Sequence, residues 1–209
     1  MKGIGVALVP LLLLRANCAP APTSPNASPT PSASPVGKVG GTALDNLPLI
    51  RELEKATNRG GLLFLISGYG HGQNGQLSQG SGWAYMFAQA RSTGAPRLYY
   101  WTAWSDGRVT FDDDYPNVGR LTFVEIGPSV AVDSPEAIRR GREYGAQPFV
   151  DRFPGTHVQM SARSIGGRVV WDMRFEDVVS PNRVLCGVDI TIDAGSGNLL
   201  LRDLSCLSQ

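Results

Sequence analysis

Three cysteines carry the most distinctive chemistry in this sequence. Cys18 follows an apolar N-terminal run, whereas Cys186 and Cys206 lie near the C-terminal end. Such residues can ligate a metal, act as nucleophiles or form a disulfide. The midpoint between the last two falls within "GSG", so a hairpin turning there brings them opposite each other, within the separation that a disulfide accepts. We therefore predict a Cys186–Cys206 disulfide.

One alternative register stays open for this hairpin. The register that opposes the two cysteines also opposes Asp189 and Asp203, which carry like charges. A bulge at Gly197 would shift the pairing by one residue and turn the two thiols to opposite faces of the sheet.

A glycine motif suggests a second kind of chemistry. Gly70, Gly72 and Gly75 satisfy the G-x-G-x-x-G spacing of dinucleotide sites and follow the apolar segment "LLFLIS". Such a site also needs a helix opening at the glycines and an acid about twenty residues later for the ribose. The following "QLSQGSG" is not helical in character, and no Asp or Glu occurs between Glu54 and Asp106. We predict a loop between strands, with no nucleotide and no cofactor.

The remaining polar candidates give no metal centre and no catalytic set. His71 and His157 lie in different segments, without the spacing of a metal pair. The "DDDY" run at 112–115 lacks the alternating ligands of a calcium loop, and no G-x-S-x-G elbow is present. The sequence therefore predicts no catalytic residue and no metal ligand.

The N-terminal segment resembles an export signal. Residues 1–17 contain Lys2, then an apolar run too short to span a bilayer comfortably, then Arg15. A cysteine at the first mature position is typical of a bacterial lipoprotein, so we predict lipid attachment at Cys18 and an exported, lipid-anchored protein of the cell envelope. Cleavage nearby, giving a secreted protein, and a retained N-terminal anchor are the alternatives.

The next segment, 18–37, is predicted to be a tether. Six prolines alternate there with Ser, Thr and Ala, and no charged residue is present. Such a composition cannot bury enough apolar surface to offset its ordering entropy, and proline keeps it extended. Residues 38–209 hold 17 Lys and Arg against 18 Asp and Glu, a net charge of −1. This balance does not favour nucleic-acid binding.

The pattern of elements in residues 38–209 is helix followed by strands, and it occurs twice. "LDNLPLIRELEKATNRGG" predicts a helix capped by Asn46, and "DSPEAI" predicts a second helix beginning at Asp133 or Ser134 and ended or bent by Pro148. Strands are predicted at 62–67, 83–90, 97–104, 108–111, 121–126, 157–163, 168–177, 184–193 and 198–205. The fold class is thus α+β, with units at 38–126 and 127–209 that form separate lobes or one joined sheet.

The second unit resembles the PepSY domains. The likeness rests on "DSPEAI", on "RFPG" at 152–155, on the tryptophan-centred "VVWDMRFED" and on "VDITIDAGSGNLL", in that order. The first unit resembles a degenerate copy through "GWAYMFAQA" and "YYWTAWSDGRVTF". The resemblance implies two cystatin-like modules, each with one helix packed on an antiparallel sheet, of a kind found in envelope proteins and in peptidase propeptides.

The function that this resemblance implies is binding, with a protein, peptide or peptidase as partner. Direct peptidase inhibition and a small cystatin-like enzyme or apolar-ligand binder are the alternatives. Aromatic residues alternate along 97–104, so both faces of the first sheet carry large rings and one face meets something other than its own helix. Core packing is the usual role of such strand rings, and the alternative is a binding surface that comprises Tyr69, His71, Tyr99 and Trp101.

Overall fold

The strands of the chain form one continuous sheet. The computed structural model describes residues 39–68, 74–113, 123–180 and 183–204, the side chains of 178–185 excepted. Its helices are α1 (Leu47–Ala56), α2 (Ser134–Gly141) and α3 (Gln147–Arg152), and its strands are β1 (Leu62–Gly68), β2 (Gly82–Gln89), β3 (Arg97–Trp104), β4 (Val109–Asp112), β5 (His157–Ile165), β6 (Arg168–Ser180), β7 (Arg183–Asp193) and β8 (Leu199–Asp203). The eight strands lie in the order β4-β3-β2-β1-β5-β6-β7-β8, and every neighbouring pair is antiparallel.

The predicted α+β class is confirmed, and the joined sheet is the alternative that forms. A helical segment followed by four strands occurs twice along the chain, with one helix in the first series and two in the second, and the two series meet where β1 pairs with β5, from Leu65 opposite Arg163 to Gly68 opposite Met160. None of the helices described is long and apolar enough to cross a membrane.

The second series carries two short helices, which differs from the predicted single helix. The chain makes a π-helical turn at Arg142–Ala146, where Gly145 adopts a φ of 134° that side chains disfavour. Pro148 was predicted to end or bend the helix, but it lies in the first turn of α3, where a missing N–H costs nothing. The interruption therefore comes from the glycine and precedes the proline.

The core lies between the helices and one face of the sheet, which we call the inner face. Ile50 of α1, Ile138 of α2 and Phe149 of α3 are wholly buried there. Trp83 of β2 and Trp171 of β6 meet edge to face, with ring centroids 6.3 Å apart. Because both rings are completely buried, they join the cores of the two series into one.

The segments leading into α1 and α2 are joined by hydrogen bonds. Asp133 caps α2 by accepting a bond from the N–H of Ser134, and its Oδ1 also accepts one from the N–H of Leu44, at 2.9 Å. The buried Ser134 hydroxyl accepts the N–H of Ala43 at 3.0 Å and donates to the carbonyl of Gly75 at 2.8 Å. The buried Ser134 hydroxyl and the N–H groups of Ala43 and Leu44 are thereby paired.

The strand predicted at 121–126 is not formed in the part that is described. Residues 123–126 are irregular, with a backbone bond of 2.9 Å from Ile126 N–H to the Leu63 carbonyl. The Glu125 carboxylate accepts the N–H of Leu63, also at 2.9 Å. The Glu125 side chain thus takes the hydrogen bond of the Leu63 N–H at the start of β1, and pairing of β1 with β5 begins only at Leu65.

Candidate functional site

The face of the sheet opposite the helices, here called the outer face, is apolar along the first series of strands. Leu65, Met86 and Tyr100 lie side by side on β1, β2 and β3, as the strand registers place them opposite one another. Trp104 lies on the same face at the end of β3. All four side chains are only partly buried, and we call this set the apolar row.

The polar atoms of the two rings in the apolar row bond to the edge strand β4. The Trp104 Nε1–H donates to the Thr110 hydroxyl at 2.9 Å, and the Tyr100 hydroxyl donates to the Asp112 carboxylate at 2.9 Å. These bonds fix the orientation of the two rings, because each ring's polar atom is held by a residue of β4. The apolar surface of both rings remains partly exposed. The arrangement is typical of aromatic anchors in protein interfaces.

An open groove of about 550 Å³ adjoins the row at Trp104. One wall is formed by residues 77–80, and the other by the turn between β3 and β4. Arg108 lies over the Trp104 ring, and its Nε is 2.6 Å from the Asp106 carboxylate. The backbone N–H and guanidinium of Arg108 hold the pKa of Asp106 below its ordinary value. The groove therefore has the Trp104 ring in its wall, and the two charged residues that line it, Asp106 and Arg108, pair with each other.

The outer face of the second series is charged. Arg163 pairs with Asp172, and Arg174 pairs with Asp189 at 2.9 Å. The Thr191 hydroxyl donates to Asp172 at 2.8 Å. We call this set the charged patch. Burial raises the pKa of Asp189 despite the opposing effect of Arg174, and the nearby acids Asp172 and Asp203 raise it further.

Two residues of the predicted binding surface lie in the core. Tyr99 is 1% exposed and Trp101 is 7% exposed, both facing α1. The Tyr99 hydroxyl donates to the buried Glu54 carboxylate, which also accepts Trp101 Nε1–H at 3.2 Å and Gly61 N–H at 3.0 Å. Burial, followed by the interaction with Glu54, raises the pKa of Tyr99. The prediction was wrong in assigning these rings to a surface, because their face is the one that α1 covers.

The outward rings Tyr100 and Trp104 were missed as site residues, although the sequence holds a signal for them. On β2 the residues sharing a face with the β3 pair Tyr99 and Trp101 are the large Trp83, Tyr85 and Phe87, whereas the other face carries Ala84, Met86 and Ala88. A helix-covered core needs the bulkier set. Comparing the two sets across both strands would have assigned Tyr100 and Trp104 to the outer face.

Several predicted site residues fall outside the described part of the chain, namely Cys18, Tyr69, His71 and Cys206. Cys186 is described, and it packs partly buried against the core from the inner face of β7. The register of β7 with β8 opposes Asp189 and Asp203, and the irregularity in this pair lies between Thr191 and Ile192, at the turn end.

The described residues hold no group of three or more His, Cys, Asp or Glu side chains placed to bind a metal ion. His157 begins β5 on the exposed surface, and Gly75 contacts the start of α2.

Comparison of the chain with protein-family models, with curated proteins and with solved structures finds no match.

Proposed function

We propose that this protein is a non-enzymatic binding protein of the cell envelope, exported, lipid-anchored at Cys18 and held out by the tether 18–37. Its folded part binds a protein or peptide partner, with a peptidase as the partner class that the PepSY resemblance suggests. The observation that carries this proposal is the apolar row Leu65, Met86 and Tyr100, with Trp104 beside it, on the sheet face opposite the helices that the structure describes.

The composition of the apolar row supports a macromolecular partner. Aromatic residues and methionine are enriched in interfaces, and buried interface cores are surrounded by polar groups. Here Tyr100 and Trp104 supply the rings, Met86 supplies an adaptable thioether, and Thr110 and Asp112 supply the polar margin. A partner that covered this row would gain from removing partly exposed apolar area from water.

The hydrogen bonds of Glu54 support a binding protein rather than an enzyme. A carboxylate buried among aromatic rings is where a catalytic acid would be sought. Glu54 instead accepts hydrogen bonds from Tyr99, Trp101 and Gly61, and these contacts hold α1 against β3. A carboxylate that accepts these three hydrogen bonds stabilises the packing of α1 on the sheet.

The finer fold proposal is that the two series are copies of one PepSY-like module. Trp83, on the second strand of the first series, lies opposite Gly68 of the first strand; Trp171, on the second strand of the second series, lies opposite Ala162. Each indole N–H donates to a carbonyl in the segment before the helix of its own series: Trp83 to Gly41 at 3.4 Å, and Trp171 to Val132 at 2.7 Å. A small residue beneath a buried tryptophan recurs in both, which supports an internal duplication.

The Cys186–Cys206 disulfide belongs to the same proposal, as a latch on the last hairpin. The described register ends with Asp189 opposite Asp203, and continuing it by three positions would bring residue 206 opposite Cys186. This supports the register in which both thiols share a face. Titration of the unfolded, unreduced mature chain should detect no free thiol at these positions, whereas a count of two free thiols would rule the latch out.

Charge insertion on the two outer faces tests the proposed function. The tagged full chain is expressed in its native envelope with Met86→Lys or, as a matched control on the charged half, Gln159→Lys, and bound proteins are captured and quantified. A buried lysine ammonium at an apolar interface is costly, so we expect Met86→Lys to reduce recovery of the main partner about tenfold or more. Gln159→Lys should leave recovery unchanged.

Full recovery with Met86→Lys, in a chain that keeps its circular dichroism spectrum, would refute the proposed surface. If the captured partner is a peptidase, its turnover with and without the purified chain separates inhibition from simple binding.

A further inference from the structure

Arg59 lies in the loop between α1 and β1 and covers aromatic rings on the inner face of the sheet. Its Cζ is 4.0 Å from the ring centroid of Phe111 on β4 and 5.6 Å from that of Tyr99 on β3. Phe111 lies opposite Trp101, so it belongs to the inner face, where it is only partly buried. A guanidinium this close to a ring is attracted by the negative charge of the ring face, which fixes its plane.

The backbone around Arg59 is tied to two neighbouring elements. The Arg59 carbonyl accepts a hydrogen bond from the side-chain amide of Gln89, at the end of β2. The N–H of Gly61 donates to the Glu54 carboxylate of α1 at 3.0 Å. The loop is therefore held between α1 and β2, and it presents the Arg59 side chain over Phe111 in a defined position.

The Arg59 guanidinium has no acid to pair with in the described part of the chain. Its Nε is buried and has no hydrogen-bond acceptor, and its Nη1 and Nη2 form neither a hydrogen bond nor an ion pair with any described residue. Glu54 lies nearby, but its oxygens accept from Tyr99, Trp101 and Gly61. A cation that has lost water at Nε without gaining a partner attracts an anion more strongly than a hydrated one does.

The other arginines that lie over rings show what is unusual here. Arg51 and Arg108 also lie over aromatic rings, and each pairs with an acid. Arg152 lies over Phe153 without an ion pair among the described residues, but it is exposed, so water solvates its charge. Arg59 is the half-buried member of this set that has no acid.

The shape of the guanidinium indicates which anion it would take. Two parallel N–H groups of a planar guanidinium match the two oxygens of a carboxylate, and such bidentate pairs are stronger than bonds between neutral groups. Because Nε is buried, this pairing uses Nη1 and Nη2. Strand β4 links this position to the apolar row, since Thr110 and Asp112 bond to the rings of that row while Phe111 lies beneath Arg59.

We propose that Arg59 binds a carboxylate of the partner as a bidentate pair through Nη1 and Nη2, beside the Phe111 ring. An Asp or Glu side chain and a chain terminus both supply this group. The inference rests on the proposed function in taking the partner to be a protein or peptide, and it adds a contact on the inner face to the apolar row on the outer face.

Nuclear magnetic resonance titration of the folded chain tests this site. The probes are the peptide amide acetyl-SGSEGS, its glutamine counterpart acetyl-SGSQGS, and acetyl-SGSSG with a free carboxyl terminus, each up to millimolar concentration. The readouts are the Arg59 Nε–H, whose burial should slow its exchange with water, and the backbone amides of Gly61 and Phe111. We expect the glutamate peptide to bind about fivefold or more tightly than the glutamine peptide. The free-terminus peptide shows which source of carboxylate the site prefers.

Two variants and one matched control locate the site. Arg59→Met keeps an apolar stem over Phe111 and should abolish the preference for glutamate. Arg59→Lys keeps the charge but lacks the planar pair of donors, so binding of the glutamate peptide should weaken about threefold or more. Arg152→Met removes the exposed arginine over Phe153 and should leave the shifts at Gly61 and Phe111 unchanged. Circular dichroism checks that each variant is folded.

The proposal is overturned if neither carboxylate peptide binds more tightly than the glutamine peptide, or if folded Arg59→Met keeps the preference. Binding of the glutamate peptide to Arg59→Lys with undiminished affinity would overturn the bidentate pair. These outcomes leave the proposed function intact as long as Met86→Lys reduces partner capture. Conversely, carboxylate binding at Arg59 with undiminished capture by Met86→Lys would refute the apolar row and keep the arginine site.

Discussion

On the first series of strands the outer face carries rings and aliphatic side chains, whereas on the second series it carries paired charges. The inner faces of the two series are alike, since each buries a tryptophan from its second strand opposite a small residue. The outward positions are occupied by Met86 and Tyr100 on β2 and β3 of the first series, and by Asp172 and Arg174 on β6 of the second. Inward residues thus specify the shared fold, whereas outward residues are free to differ and can carry function.

The largest effect should come from breaking what the two halves share. Trp83→Ala and Trp171→Ala should each lower the free energy of unfolding by about 3–5 kcal/mol, since each removes a wholly buried ring. Denaturant unfolding followed by fluorescence and by circular dichroism should give one coincident transition for each variant. Trp104→Ala, on the outer face, is the control and should cost much less. Two separate transitions would mean that the halves do not share one core.

The next effect sharpens the contrast between the buried acid of the first series and its exposed neighbours. Glu54→Gln should lower the free energy of unfolding by about 1–3 kcal/mol. The carboxylate accepts hydrogen bonds from Tyr99 and Trp101, and the amide N–H₂ that replaces one of its oxygens cannot accept either of them. Glu52→Gln, on the exposed side of the same helix, should change stability little. Equal stabilities of the two variants in urea would contradict the fastening role given to Glu54.

Unfolding measured over a series of alkaline pH values tests whether the tyrosines of the first series are buried, because buried tyrosines resist ionisation. Burial raises the pKa of Tyr99 and of Tyr85 in the folded chain above the ordinary value near 10. A raised pKa means that the folded state holds its proton more tightly, so this stability is complete below pH 10 and declines as pH rises further. The free energy of unfolding should therefore fall above pH 10, and less steeply in Tyr99→Phe. A flat profile in the unsubstituted chain would contradict this burial.

The smallest effect compares the two edges. Asp203→Asn should leave the free energy of unfolding unchanged or raise it by up to about 0.5 kcal/mol, since it removes a like charge opposite Asp189. Asp112→Asn should lower it by roughly 0.5 kcal/mol, because it weakens the bond from Tyr100. Thermal melts in parallel check both. A clear loss for Asp203→Asn would show that this carboxylate stabilises the edge.

Much of the fold could be predicted from local sequence. Asn46, Asp133 and the period-two alternation around Trp171 locate the first two helix starts and most strands correctly. The Asn46 side chain, however, bonds to Gly40 and Thr42 and makes no capping hydrogen bond to α1. The strand predicted at 121–126 failed because the Glu125 side chain, which sequence periodicity cannot reveal, supplies the partner for β1. The position of the helix break likewise depended on Gly145, whose φ of 134° is a backbone conformation that hydrophobic periodicity does not reveal.

The candidate site was less predictable, for a physical reason. Alternation along β3 shows that Tyr99 and Tyr100 face opposite sides, but it does not say which side meets α1. That choice depends on the summed volume of both faces across several strands. The edges of the sheet are also a property of strand order, since the pairing of β1 with β5 leaves β4 and β8 as the two edge strands of the described sheet.

Contact between the apolar row and the partner can be measured by photo-crosslinking within the native envelope. A photoreactive phenylalanine analogue is placed at Tyr100 on the apolar row or at Arg174 in the charged patch of the full chain, and adducts are identified by mass. We expect a specific adduct from position 100 and a much weaker one from position 174. An adduct from position 174 with none from position 100 would contradict this contact.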